Sequence, residues 1–507
     1  MDAKRIGIGL ALAALTGVLW LASMALDHAG FIAWVALVPL WIALLRFSPA
    51  WRHAFLFALV SAEIGVGGFL GVLAFQPWMA AVAVLVPLAP SLLLSLLWAL
   101  SRSNPLRLFV PLTATGLTSA DMLLSLTPMA AVISPAGTQA GYPWLMAPAS
   151  LLGFSCITFL LLTANGILAL LLLETAGKTY RCKTVAVGGI LMAAVLAASN
   201  VPRGDGPAIP VAVLQPGGNR TGPCGDAEGK ARRGEEALSL QDVPIGLSRE
   251  GAGKGARLIV WPESLLEVDP SSDGRRRREI EAFVARLGVP VVVTFDAGRK
   301  NLAVPVFPGR GFAEAYEKHY PAGSLGEENV AGTSEPLYRA AWGAFGLLIC
   351  YDMHYEEIAR RLAVRGAQLI AVPTRSQRSA NARLFHVRAA RLRAAENHVG
   401  FALADGDGAA SLIGPRGEML AAAGPGAQAL TAPVPLGTGW TVYNRAGYLL
   451  RWLVIAAFAA GLAVAAIPLI SQRHPPVSRP SDRMDPSGPK RGRRSRTAFG
   501  KESADEE

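Results

Sequence analysis

The sequence predicts a polytopic α-helical membrane protein of about eight spans, with a layered α/β domain inserted before the last span. Three observations carry this. The 507-residue chain is 52% hydrophobic and only 17% charged, with a mean hydropathy of +0.36, too apolar for a water-soluble protein of this length. Apolar runs of about 20 residues, the length that crosses a hydrocarbon core, recur through the region before Arg203 and once more near the end. Between them, from Ala208 onward, short β-branched runs alternate with charged amphipathic stretches, the pattern of strands and covering helices.

Spans are expected near 6–26, 30–46, 54–75, 79–100, 107–127, 150–173 and 184–200, with an eighth near 447–470. The first follows Lys4-Arg5 but has no convincing small-residue cleavage site and further spans follow at once, so it reads as a retained helix rather than a signal peptide. Arg46 and Arg52 follow the second span, Arg102 and Arg107 the fourth, and Lys178, Arg181 and Lys183 the sixth, whereas the loops after the third and fifth carry no Lys or Arg. By the positive-inside rule the N-terminus is then cytoplasmic and seven crossings leave residues 201–446 outside the cytoplasm. The expected plan is a transmembrane domain of about seven helices at 1–203, an extracytoplasmic α/β domain at 204–440, a transmembrane helix at 441–471 and a disordered basic cytoplasmic tail at 472–507. Glu63 and Asp121 fall at membrane depth, where a carboxyl is either paired in helix packing or functional. Gly67-Gly-Phe-Leu-Gly71 fits a small-xxx-small helix contact.

The formal charge of +11 resides in short loops beside the spans and in the tail, which fits a membrane surface and not nucleic acid. Cys156, Cys182, Cys224 and Cys350 form neither a disulfide framework nor a CxxC metal site. His319, His354, His386 and His398 make no metal-binding pair on one helix face. No metal and no cofactor are therefore expected, and His386 reads as a helix-surface residue.

In the inserted domain, 208–214, 256–261, 289–294, 346–350 and 367–372 read as buried strands, and 276–287, 354–365 and 381–399 as helices. Three polar signatures punctuate the strand ends: Val260-Trp-Pro-Glu263, Tyr316-Glu-Lys318 and Phe345-Gly-Leu-Leu-Ile-Cys-Tyr-Asp352. A carboxylate at a strand end can act as general base toward a thiol, and a lysine can hold a developing oxyanion. A thiol between a strand and a helix starting near His354 is expected to have a lowered pKa from the helix dipole.

Glu, Lys and Cys in this order resemble the nitrilase superfamily, and the spans around them narrow the resemblance to its membrane-embedded branch, the apolipoprotein N-acyltransferases of the bacterial inner membrane. The resemblance extends to Val213-Leu-Gln-Pro216, to Asn381–Asn397 with its Arg393-Ala-Ala-Glu396, to Ile413-Gly-Pro-Arg-Gly417 and to Thr441-Val-Tyr-Asn-Arg-Ala-Gly447. It implies a nitrilase-like α-β-β-α sandwich, with Glu263 as general base, Lys318 as oxyanion stabiliser and Cys350 as nucleophile, supported by Tyr351, Asp352 and Glu327. Glu328 is an equal candidate for the last position, because His319-Tyr-Pro-Ala-Gly-Ser-Leu-Gly-Glu327 is longer than the family's stretch. It also implies a phospholipid acyl donor, a diacylglyceryl lipoprotein acceptor, a thioester intermediate, a periplasmic catalytic domain and a monomer. The chain departs from the family at Pro373-Thr-Arg-Ser-Gln-Arg378, where Ser-Asn-Asp-Ala-Trp-Phe is usual. The alternative is a membrane-anchored amidase acting on a small C–N substrate with water as acceptor, and a third reading is a catalytically silent membrane scaffold.

The topology is testable by fusion. A phosphatase reporter joined after Arg203 is expected to be active and one after Gln472 inactive; the opposite pattern would place the inserted domain in the cytoplasm.

Overall fold

The computed structural model describes residues 3–26, 28–73, 77–103, 105–127, 133–173, 178–200, 204–217, 242–266, 269–270, 272–323, 327–375, 380–406 and 408–473. Residues 474–507 of the expected tail and Cys224 lie outside them, while Gln472 and Arg473 belong to the last helix. Among the described residues six helices are long and apolar enough to cross a membrane: Ala3–Ala25, Gly30–Phe47, Trp51–Val72, Trp78–Leu100, Ser155–Leu172 and Cys182–Ser199. The expected fifth span appears as the shorter apolar stretch Leu108–Leu124, and the eighth as Arg451–Ala466 within the Val442–Arg473 helix. The sixth starts at Ser155 rather than 150. Gly153 interrupts the chain there at φ +79, and a Cβ at this position would lie 2.8 Å from the Tyr443 ring.

Polar side chains pin the membrane helices where apolar packing alone leaves register loose. Asn165 donates to the Ala33 carbonyl at 2.9 Å and accepts from the Leu37 amide at 2.8 Å. The Trp98 indole donates to the Leu44 carbonyl at 2.8 Å. Asp121 accepts from the Thr158 and Ser134 hydroxyls at 2.7 and 3.1 Å, the packing role open to a membrane-depth carboxyl. The small-xxx-small expectation holds for one of its two ends. A Cβ on Gly67 would lie 2.8 Å from the Ala83 carbonyl oxygen, whereas one on Gly71 would meet nothing within 4 Å.

The α/β part contains two sheets. The first runs β13 (Gln428–Pro435), β1 (Ala208–Gln215), β2 (Leu258–Val260), β3 (Val291–Ala297), β4 (Lys300–Phe307), β5 (Gly311–Phe312), with β6 (Tyr316–Glu317) also on β4. The second runs β12 (Met419–Ala422), β11 (Ser411–Ile413), β10 (Gly400–Asp405), β9 (Leu369–Thr374), β8 (Gly343–Leu347), β7 (Tyr338–Ala340). The central strands β1–β2–β3 and β8–β9–β10 are parallel. Parallel pairs need crossovers long enough to hold a helix, and the helices Asp242–Gly253, Gly274–Leu287, Glu356–Val364 and Ala380–Asn397 lie in those connections.

Alternation along the strands assigns the layers. Val211 and Val213 of β1 join Phe345, Leu347, Leu369 and Ala371 in the core between the sheets. Ala212 and Leu214 face Leu247, Phe283 and Val284 of the first two helices. On the other side, Ile370, Val372 and Phe401 pack on Leu362, Ala390 and Ala394. The result is an α-β-β-α sandwich. The sequence reading missed β4, β5, β7, β10 to β13 and the helix at Asp242–Gly253; Pro305 interrupts β4 and Pro433 interrupts β13, while β5, β7, β11 and β12 are only two to four residues long.

The Ala380–Asn397 helix joins this sandwich to the membrane helices. Phe385, Leu392 and Ala395 share a core cluster with Trp20, Met24 and Phe69, and the Phe385 and Phe69 rings meet edge-on at 5.6 Å. Arg388 donates to the Met24 carbonyl at 2.6 Å. Glu396 accepts from the Phe154 amide at 2.8 Å at the start of a membrane helix and is paired with Arg393 at 2.7 Å. Glu356 accepts from Tyr443 at 3.0 Å and Ser125 at 3.3 Å, and pairs with Arg451 of the last helix.

Removing one member of a buried ion pair strands the other's charge. Arg451→Met is therefore expected to lower stability by about 3 kcal/mol, with Glu356→Gln added on top restoring part of the loss. Thermal unfolding of the two variants in detergent checks this; equal stability of single and double variants would remove the pair from the junction.

Candidate active site

The site forms where the ends of β2 and β9 meet across the two sheets. The Glu263 amide, just past β2, donates to the Thr374 carbonyl at the end of β9 at 3.3 Å. The Thr294 hydroxyl donates to the Pro262 carbonyl and accepts from the Leu265 amide, fixing the loop that carries Glu263. Cys350 follows β8 in a short tight turn, Cys350–His354. Three described non-glycine residues have positive φ, and two are here: Cys350 at +48 and Ser264, next to Glu263, at +49. The left-handed region costs such a residue roughly 1–2 kcal/mol, so it persists only where surrounding contacts impose it. The reversal brings the thiol off the strand end.

Lys318 follows β6, and its amide donates to the Asn301 carbonyl on β4 at 2.9 Å. Its ammonium donates to Glu263 Oε1 and to Glu327 Oε2, each at 2.7 Å, and its side chain is only 2% exposed. Burial alone would favour loss of its proton, but Glu263, the Cys350 sulfur and Glu327 outweigh it and hold the ammonium well above the ordinary lysine range. Burial also works against the Glu327 carboxylate, yet Lys318 brings it below its usual value. Glu327 further accepts from the Ala322 amide at 2.8 Å and from Asn329 at 3.1 Å. Glu328 turns away; its carbonyl accepts from Arg299 at 3.2 and 3.1 Å. Of the two candidates, it is Glu327 that meets Lys318.

The expected lowering of the Cys350 pKa is not found. Burial and the Glu263 carboxylate push the thiol well above its usual range, against the pull of Lys318 and of the Arg375 backbone amide, which donates to the sulfur. The α-helix that follows Cys350 starts only at Glu356, beyond the tight turn. The resting arrangement is a neutral thiol beside a carboxylate.

Asp352 is fully buried and tied into the backbone. It accepts from Tyr316 at 2.7 Å, from the Ile349 amide at 3.1 Å and from the Tyr320 amide at 2.8 Å. Burial raises its pKa to about 6, moderated by the Tyr316 hydroxyl. It staples the Cys350 turn to the Lys318 loop. Tyr351 is partly buried, its ring 5.2 Å from His354. His386, expected at the helix surface, is instead partly buried and edge-on to His354 at 5.2 Å, because its helix is covered by the sandwich on one side and membrane helices on the other. Among the described residues no cluster of three or more His, Cys, Asp or Glu could hold a metal.

Asn301 was not anticipated. Its amide nitrogen donates to Glu263 Oε1 at 2.8 Å and reaches Glu327 Oε1 at 3.4 Å, and the residue is 3% exposed. The only signal in the sequence is a polar residue opening an otherwise apolar run, Asn301-Leu-Ala-Val304. The Arg375 amide left no signal at all, since a backbone group has no residue type.

Residues 291–440 match the carbon-nitrogen hydrolase family, a range that includes Lys318 and Cys350 but begins after Glu263. The chain is 25% identical over 520 aligned residues to an apolipoprotein N-acyltransferase of Geobacter metallireducens, covering 90% of this chain and 94% of that one. It is 32% identical over 142 residues to a hydrolase of Mycobacterium tuberculosis, covering 24% of this chain and 51% of the relative. Among solved structures, an amidase from Nesterenkonia sp. aligns at 20% identity with a TM-score of 0.38, covering 47% of this chain and 94% of the amidase. Residues 291–440 thus resemble the carbon-nitrogen hydrolase family, the same chain carries helices long and apolar enough to cross a membrane, and nearly its whole length is similar to an apolipoprotein N-acyltransferase.

Proposed function

We propose that this protein is an N-acyltransferase of the bacterial inner membrane that moves an acyl chain from a phospholipid to the α-amine of a diacylglyceryl-cysteine at a lipoprotein N-terminus. The observation that carries the reading is that Lys318 joins two carboxylates beside the thiol, and that the Cys350–His354 turn meets His386 of a helix whose Phe385, Leu392 and Ala395 pack with membrane helices. The similarity to an N-acyltransferase along nearly the full chain supports it. With both substrates confined to the bilayer, a site built against membrane helices meets them at high effective concentration. The domain stands in the periplasm, as the alternation of basic and uncharged loops implies.

In the first half-reaction Glu263 takes the thiol proton as the Cys350 sulfur attacks the ester carbonyl. Lys318 stabilises the oxyanion, which is worth several kcal/mol where water is scarce. The C–O bond breaks, Glu263 returns its proton to the leaving lysophospholipid oxygen, and a thioester remains on Cys350. In the second half-reaction the amine attacks the thioester, its proton passes through Glu263 to the sulfur, and the thiol is restored. Glu327 keeps Lys318 charged and in place throughout, while Asp352 and Tyr351 support the turn that carries the nucleophile.

Cys350→Ala is expected to lose acyl transfer by at least about 1,000-fold while remaining folded, whereas Cys156→Ala keeps most activity. Full activity of purified Cys350→Ala would remove the nucleophile. Glu263→Gln separates base from charge. Thioester formation should drop at least about 100-fold without a proton acceptor. Yet alkylation of Cys350 by iodoacetamide should begin at lower pH than in wild type, because the carboxylate that holds the thiol neutral is gone and Lys318 remains. An alkylation profile that stays in place or moves to higher pH would refute that electrostatic account.

The reaction itself is read from the fate of label. Given labelled phospholipid alone, the enzyme should accumulate a hydroxylamine-sensitive acyl group on Cys350, and a diacylated lipopeptide with a free α-amine should discharge it. Release as free fatty acid at one rate with or without lipopeptide would make water the acceptor. Ammonia release from a small amide, with no label retained, would establish the anchored amidase.

A further inference from the structure

We infer that Asn301 is the acceptor-side residue of the site, its carbonyl oxygen receiving the second N–H of the attacking amine; the assignment rests on the acyl-transfer reading. Carboxylates only accept hydrogen bonds, so the Asn301 amide nitrogen must be the group facing Glu263 and Glu327, at 2.8 and 3.4 Å. The carbonyl oxygen then points away from both. It is buried and has no hydrogen-bond partner among the described residues. Burying such an acceptor without a donor costs about 1–3 kcal/mol, a standing penalty that a bound donor removes.

The two half-reactions differ in what they ask of this position. When the thiol attacks an ester there is one proton to move, and Glu263 handles it. When a primary amine attacks the thioester, the C–N bond forms and the nitrogen of the tetrahedral intermediate carries two N–H groups and a positive charge. One proton goes to Glu263 and on to the departing Cys350 sulfur. The other N–H stays on the product amide and needs an acceptor in a site poor in water. Asn301 is bonded to the Glu263 oxygen that Lys318 also holds, so its oxygen lies within one side chain of the proton acceptor. It therefore favours an acceptor with two N–H groups over one with a single N–H.

The test uses full-length enzyme with two diacylated lipopeptides, one with a primary α-amine and one with an N-methylated α-amine, each added to enzyme pre-charged with labelled phospholipid. In Asn301→Ala, thioester formation should fall by less than about tenfold, the effect of one lost orienting hydrogen bond on Glu263, while discharge to the primary amine falls about 100-fold. The wild-type preference for the primary over the N-methylated acceptor should shrink about tenfold, a readout that mere loosening of Glu263 does not move. Asn301→Ser provides the same comparison with a smaller perturbation of the strand. If both half-reactions fall by one common factor and the acceptor preference is unchanged, Asn301 only orients Glu263 and the assignment is wrong. If wild-type thioester discharges to neither amine, the acyl-transfer reading fails and takes this assignment with it.

Discussion

The site depends on one buried ammonium. Lys318 lies between Glu263 and Glu327 at 2.7 Å from each, and without their two carboxylates burial would strip its proton. A charged Lys318 offsets the repulsion between the Glu263 and Glu327 carboxylates, and in the proposed reaction it is the cation that faces the oxyanion. Isolated buried charges are prohibitively costly, so each member needs the others. This explains why four separate segments, the β2 end, β4, the β6 end and the 327–329 stretch, must converge before any one residue is useful.

A second constraint follows from the thiol. Burial and Glu263 hold it neutral. A resting thiolate would be open to oxidation and metal capture, and a neutral thiol is not. Left-handed backbone at Cys350 and Ser264, with Asp352 clamping Tyr316, Ile349 and Tyr320, puts the geometry into the backbone rather than into free side-chain rotation.

The junction with the membrane helices is polar where apolar contact would slide. Glu356 with Arg451, Glu396 with the Phe154 amide, and Arg388 with the Met24 carbonyl each join the sandwich to a different membrane helix. The helix that roofs the site, Ala380–Asn397, takes part in two of them. Its hydrophobic face toward Phe69 and Trp20 supplies area, and the polar contacts supply register.

Much of this was legible in the chain itself. Hydrocarbon thickness makes a span about 20 apolar residues long whatever it packs against, so the long helices could be placed to within a few residues. Five interior strands were legible because strands buried on both faces read as unbroken apolar runs. Glu263, Lys318 and Cys350 stood out because each is a polar residue ending such a run. The tertiary structure decided what depends on distance across the chain. It chose Glu327 over Glu328, added Asn301 from β4 and the Arg375 amide from the end of β9, turned His386 inward, and reversed the expected shift of the thiol. Side-chain identity and local periodicity are written along the chain, whereas the field at a buried atom is the sum over neighbours that only folding brings near.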